Sequence, residues 1–178
     1  NAITIPEGVT KIGNEAFRDC ASLGTVNIPQ ALTSLGAFAF ASCASLESVS
    51  VPAGVTGIGS YLFHDCKSLK SVELSIKVVS IGNNAFDGCT ALTGLALPAK
   101  LTSIGNNAFQ GCASLSSLTF PGKLSTIGRG AFRQCLSLKE LTIPDPVTNI
   151  QDHTFAQCEN LTKVKLGKAV TSIGGYAF

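Results

Sequence analysis

Phenylalanine returns every 23 residues along this chain, at Phe17, Phe40, Phe63, Phe86, Phe109, Phe132, Phe155 and Phe178. Cysteine keeps the same interval three places later, at Cys20, Cys43, Cys66, Cys89, Cys112, Cys135 and Cys158. A fixed period of about 20–50 residues marks a solenoid, in which each repeat is one coil laid on the last. The two columns run through all 178 residues without an insertion, so the chain reads as a single domain, 1–178. It holds seven full repeats and a partial one, and it opens and closes partway through a repeat, which reads as an excerpt of a longer chain.

Residues 23–45 show the unit. Thr25-Val26-Asn27-Ile28 alternates polar and apolar, the period of a half-buried strand. Its inward columns are Val26, Val49, Val72, Leu95, Leu118, Leu141 and Val164, then Ile28, Val51, Leu74, Leu97, Phe120, Ile143 and Leu166. Proline usually follows, as at Pro29 and Pro52; lacking an N–H, it suits the end of a strand. A second short extended segment, such as Val9-Thr10-Lys11-Ile12, ends in a glycine column: Gly13, Gly36, Gly59, Gly82, Gly105, Gly128 and Gly174. The expectation is that glycine supplies positive φ at a corner there, and that Gln151, its one replacement, strains or changes the turn. Ala-Phe-x-x-Cys-x-x-Leu then predicts one turn of α- or 3₁₀-helix facing the core. A single coil cannot offset the entropy of ordering its own backbone, so stacking is required.

The order Leu23-x-x-Val26-x-Ile28-Pro29, Leu32-x-x-Leu35-Gly36, Ala39-Phe40-x-x-Cys43-x-x-Leu46 resembles the BspA-like leucine-rich repeats over the whole chain. The resemblance implies an α/β-type leucine-rich-repeat solenoid: a parallel sheet on one face, with short strands and single helical turns on the others. It also implies exposed surface or secreted proteins of bacteria and some protozoa that adhere to host or neighbouring-cell proteins. The pattern departs at Ser75 and Gly167, where proline is missing, and at Val79, where threonine is usual. The asparagine column of many leucine-rich repeats has no counterpart in the sequence pattern.

Composition excludes other classes. Hydrophobic residues at 45% against 13% charged do not describe a disordered chain, and no apolar run approaches the 18 or more needed for insertion into a membrane. A net charge of +2 gives no electrostatic footprint for nucleic acid. The cysteines never come closer than 23 residues, unlike the close pairs of structural zinc sites. An odd number of parallel thiols argues against disulfides, and His64 and Asp65 beside Cys66 are adjacent in sequence without being a triad. The cysteines read as buried, reduced, small apolar groups. No cofactor or metal motif appears, and without a long loop the chain lacks the usual material of an active site, so an enzyme is rejected. Asn160-Leu161-Thr162 is the one glycosylation sequon and reads as a bare surface asparagine.

Recognition must then come from columns that vary. The outward strand column contains Asn27, Ser50, Glu73, Thr119, Thr142 and Lys165, small and mostly hydroxyl-bearing. A second column, two residues before each framework phenylalanine, contains Phe38, Tyr61, His153 and Tyr176; Phe38 and Tyr61 are expected to stack on successive coils as interface anchors. Asn84 and Asn107 in that column look like turn residues. Lys139, Lys163, Lys165 and Lys168 make the carboxy-terminal end basic, suited to sulfated glycans or acidic proteins, although Glu140 and Glu159 dilute them. The first reading is a non-enzymatic protein-binding or adhesion module at the cell surface or outside the cell. The alternative is a structural element whose partner is itself. Its coils would continue end to end into filaments, helped by residues 1–89 carrying 5 basic and 7 acidic groups (−2) and 90–178 carrying 8 and 4 (+4).

Overall fold

The computed structural model describes residues 1–178, and every coil runs through the same three sides. Numbered by the period, coil 1 is 1–23, coil 2 24–46, coil 3 47–69, coil 4 70–92, coil 5 93–115, coil 6 116–138, coil 7 139–161 and coil 8 162–178. On the first side lie strands at Ala2–Thr4, Thr25–Asn27, Ser48–Ser50, Ser71–Glu73, Glu140–Thr142 and Lys163–Lys165. On the second lie two-residue strands at Lys11–Ile12, Ser34–Leu35, Gly57–Ile58, Ser80–Ile81, Ser103–Ile104, Thr126–Ile127, Asn149–Ile150 and Ser172–Ile173. All pairings are parallel and each residue meets its counterpart one period on, as Ala2 meets Thr25 and Ser103 meets Thr126. The fold is the parallel solenoid that the 23-residue period predicts.

A single cluster of 47 buried residues fills the interior. The framework rings stack from coil to coil at 5.1–5.9 Å between centroids, unbroken from Phe17 to Phe178. Beside them, each thiol from Cys43 to Cys158 donates to the carbonyl of the phenylalanine 26 residues earlier, at 3.1–3.3 Å. That donation is what cysteine provides here and alanine would not: a second donor, from the next coil, to a buried carbonyl that already accepts the cysteine N–H of its own coil.

The third side differs from the helical turn that the Ala-Phe-x-x-Cys spacing predicts. No helix forms. The segment is a run of successive turns, such as Arg18 N–H to the Glu15 carbonyl and Cys20 N–H to the Phe17 carbonyl. It is broken twice per coil by residues in the left-handed region, at 15 and 19 and their equivalents. The break turns alternate N–H groups outward: residues 15, 17 and 19 donate to carbonyls of Ala37, Ala39 and Ala41. Equivalent bonds cross every junction of the molecule and make this side its continuous spine.

The two strand sides are interrupted. On the second side, the bond from the Gly82 N–H to the Ile58 carbonyl repeats at Gly105 and Gly128, but no such bond joins coils 2 and 3 or coils 6 and 7. On the first side, no pairing joins coils 4 and 5, one bridge joins Gly94 to Ser117, and none joins coils 6 and 7. Coils 6 and 7 are thus unbonded on both strand sides, and the only backbone bonds between them are those of the spine.

At the closed junctions the glycine column acts by a different physics from the one expected. None of Gly36, Gly82, Gly105, Gly128 or Gly174 has positive φ. A Cβ at Gly128 would instead lie 2.5 Å from the Asn106 nitrogen and 2.6 Å from the Gly105 carbonyl carbon, backbone atoms of the coil below. Glycine is there so that backbones can close together. Gln151 brings a side chain to that position where coils 6 and 7 part; coils 2 and 3 part on this side with Gly59 in place.

The departures at Ser75 and Gly167 leave the turn intact. Val78 N–H bonds to the Ser75 carbonyl and Val170 N–H to the Gly167 carbonyl, as Leu32 does to Pro29. Val79 loses a hydroxyl but keeps its N–H bond to the Thr56 carbonyl. A partial amide ladder that the sequence pattern does not announce runs at the corner between the second side and the spine. Asn14, Asn83, Asn106 and Asp152 each accept, through Oδ1, the backbone N–H of the residue 23 positions on.

Candidate functional site

The column that contains the aromatic candidates is the left-handed position of the spine. Glu15, Phe38, Tyr61, Asn84, Asn107, Gly130, His153 and Tyr176 all have φ between 52° and 62°. Asparagine and glycine enter this region cheaply, while a bulky residue there is strained, at a cost of about 1–3 kcal/mol. Asn84, Asn107 and Gly130 are therefore the unstrained occupants, and the strain falls on Glu15 and on the four aromatic residues Phe38, Tyr61, His153 and Tyr176.

Phe38 and Tyr61 stack with centroids 4.4 Å apart and planes 6° from parallel, both half-buried. The Arg18 guanidinium lies over Phe38, 5.4 Å from its centroid, held by Glu15 at 3.0 Å and Asp19 at 3.5 Å. At the other end, His64 meets Tyr61 edge-on at 5.5 Å. Its Nε2 faces Asp65 at 3.4 Å and its Nδ1 faces Asp87 at 3.5 Å. Asp87 is anchored by the Asn84 amide at 2.9 Å and the Gln110 amide at 3.4 Å. The second pair of the column, His153 and Tyr176, stacks separately at 5.4 Å.

The remaining candidates stand apart from this ridge. Asn27, Ser50, Glu73, Thr119, Thr142 and Lys165 are exposed on the first side, with Ser50 donating to Glu73 at 3.0 Å. Thr119, Thr142 and Lys165 meet at the open seam, in a cleft of about 680 Å³ that also contains Glu140, Asp145 and Lys163. The ten candidates thus form three groups: the ridge over coils 2 and 3, the pair over coils 7 and 8, and the strand side. Arg18, His64, Asp65 and Asp87 complete the ridge and were not among the candidates. Reading Arg18, Ala41, His64 and Asp87 as one column was the signal that could have found them.

The Cys66 thiol does not join His64 and its carboxylates. Cys66 donates to the Phe40 carbonyl, away from the carboxylates that face His64. Burial holds the Cys43 thiol up at about 11, and it raises Cys66, Cys89 and Cys112 as well, against the thiolate a nucleophile needs. All seven thiols are free. The Asn160 amide of the sequon donates to the Leu136 carbonyl at 2.8 Å. No helix is long and apolar enough to cross a membrane.

The stacked coils, each with a framework phenylalanine and all but the partial last one with a thiol, define a leucine-rich-repeat solenoid. The model of the BspA-type leucine-rich repeat region matches residues 1–93 and 79–178, and the chain belongs to that family. A leucine-rich-repeat protein of T. pallidum, TpLRR, is 29% identical with a TM-score of 0.73; the match covers 97% of this chain and 72% of that one. A leucine-rich cell surface protein of Faecalibacterium prausnitzii A2-165 is 31% identical with a TM-score of 0.71, over 99% of this chain and 51% of that one. A leucine-rich-repeat protein of Bacteroides ovatus is 25% identical with a TM-score of 0.65, over 99% of this chain and 63% of that one. No curated protein matches the chain.

Proposed function

We propose that the chain is a non-enzymatic protein-recognition module of a cell-surface adhesin, and that it engages its partner through the spine ridge at Phe38 and Tyr61. One observation carries the reading. Two large aromatic residues, stacked on successive coils with Arg18 over one end, occupy a left-handed backbone position that coils 4 to 6 fill with Asn84, Asn107 and Gly130. Backbone strain retained without a local structural need points to function, and accessible aromatic side chains are favoured interface anchors. The surface location is supported by the Faecalibacterium relative, which is named as a cell surface protein.

The test replaces both anchors with the residue that coils 4 and 5 use. Beads coated with the Phe38→Asn/Tyr61→Asn protein should lose most of their adhesion to cultured epithelial monolayers, relative to beads coated with the unaltered chain. Thermal stability should hold, because asparagine relieves the strain that the rings impose. Unchanged adhesion with a large drop in melting temperature would return the two rings to a packing role. Sedimentation velocity at rising concentration checks self-assembly, which requires a species that grows with concentration.

A further inference from the structure

Resting on the ridge reading above, we infer that the coil 3 and coil 4 end of the ridge binds an arginine side chain of the partner, so that the partner presents a basic segment. The molecule contains its own example of the chemistry. Arg18 lies flat over Phe38 with Glu15 and Asp19 at its nitrogens, one aromatic face and two carboxylates around one guanidinium. That covers the coil 1 end of the stack. At the other end, Tyr61 meets Phe38 on one face and the His64 edge beside it, and its column continues into Asn84, with no arginine or lysine over the ring.

Two carboxylates lie beside that end. Asp65 shares the column of Asp19, and Asp87 shares the column of Arg18 itself. No lysine or arginine lies within 4.0 Å of either, and both face the single imidazole of His64. Asp87 is mostly buried, with both oxygens engaged by the Asn84 and Gln110 amides and by His64, so it contributes a fixed negative charge; Asp65, 43% exposed, is the carboxylate open to a donor. An aromatic face with an open carboxylate at its edge and a second fixed charge behind it suits a planar fork that stacks and donates at once. That describes a guanidinium better than an ammonium. The surplus of acidic over basic groups in residues 1–89 favours approach of a cationic segment to this end of the molecule.

The probes are three fluorescent peptides, glycine alternating with arginine, with lysine or with glutamate, titrated against the intact chain by anisotropy at low and physiological salt. The arginine peptide should bind several times more tightly than the lysine peptide, and the glutamate peptide should not bind. Tyr61→Asn and Asp65→Asn should each weaken arginine binding at least about fivefold, the scale of one desolvated cation–aromatic contact or charge-assisted bond. Asp65 is exposed enough that its replacement leaves the fold intact, which circular dichroism checks. Lys163→Ala, on the far strand side, should change nothing. Equal binding of arginine and lysine peptides that ignores Tyr61→Asn and Asp65→Asn would mean diffuse attraction and overturn the inference. Adhesion lost in Phe38→Asn/Tyr61→Asn without arginine binding by the unaltered chain would overturn it too, while leaving the ridge as the contact site. Adhesion kept in that variant, with arginine binding lost, would instead sink the adhesion reading and uphold the arginine site.

Discussion

Adding one methyl group at Gly128 should cost far more than adding the same group at Gly59. At Gly128 the new Cβ would sit 2.5 Å from the Asn106 nitrogen and 2.6 Å from both Asn106 Oδ1 and the Gly105 carbonyl carbon. Two of those atoms are backbone, so relief requires lifting coil 6 off coil 5. Three backbone bonds then go: Ser125 and Thr126 N–H to the Thr102 carbonyl at 3.0 and 3.2 Å, and Gly128 N–H to the Ile104 carbonyl at 2.9 Å. The bond from Arg129 N–H to Asn106 Oδ1, at 2.9 Å, goes with them. At about 0.5–1.5 kcal/mol each, with some of these groups regaining water, Gly128→Ala should destabilise by about 2–4 kcal/mol. At Gly59 the nearest atoms lie 3.6–3.7 Å from the added carbon, ordinary contact. Coils 2 and 3 are already unbonded on that side. Gly59→Ala should be neutral or stabilise by up to about 1 kcal/mol through the unfolded chain. Urea unfolding followed by circular dichroism measures both. Equal losses at the two positions would refute the close-approach argument and restore a purely conformational need for glycine.

Gln151→Gly should let coil 7 close onto coil 6. Hydrogen exchange at Thr148 and residue 151, fast in the unaltered chain, should slow by about tenfold or more as those amides gain partners; unchanged exchange would remove Gln151 as the cause of the seam. The thiol ladder should make the fold sensitive to alkali. Cys43, Cys66, Cys89 and Cys112 keep their protons in the fold, mainly because burial disfavours the thiolate, while the unfolded chain loses them above about pH 9. The folded state then binds more protons, so stability is full below pH 9 and falls as pH rises towards 11 and beyond. Cys112→Ala should flatten part of that decline while lowering stability near pH 7 through the lost bond to Phe86; an unchanged slope would exclude the thiols as its source.

The interior was legible because every coil meets the same surroundings. A side chain recurring at a constant stride, such as Phe86 or Cys89, must stack on its own copy, and no tertiary detail is needed to place it inward. The turn between them was not legible in the same way. The spacing of Ala85, Phe86 and Cys89 fits a helical turn, but it equally fits consecutive turns interrupted by left-handed residues, and Asn84 and Gly88 are the residues that choose the second. Glycine was recognised at the right column for the wrong reason, since a sequence displays absent side chains and not the backbone that fills their place.

The 23-residue period alone dictates a parallel stack with an aromatic and thiol interior, because identical coils can bury their apolar faces only against one another. Which coils actually touch, and which surface residues meet, came from three dimensions. The parting of coils 6 and 7 depends on how closely Gly128 and its equivalents approach the coil below. The meeting of Tyr61, His64, Asp65 and Asp87 joins residues up to 26 positions apart, and their side chains touch only after the spine has set the pitch. Local chemistry specifies one coil, while contacts between coils depend on a spacing that no single repeat encodes.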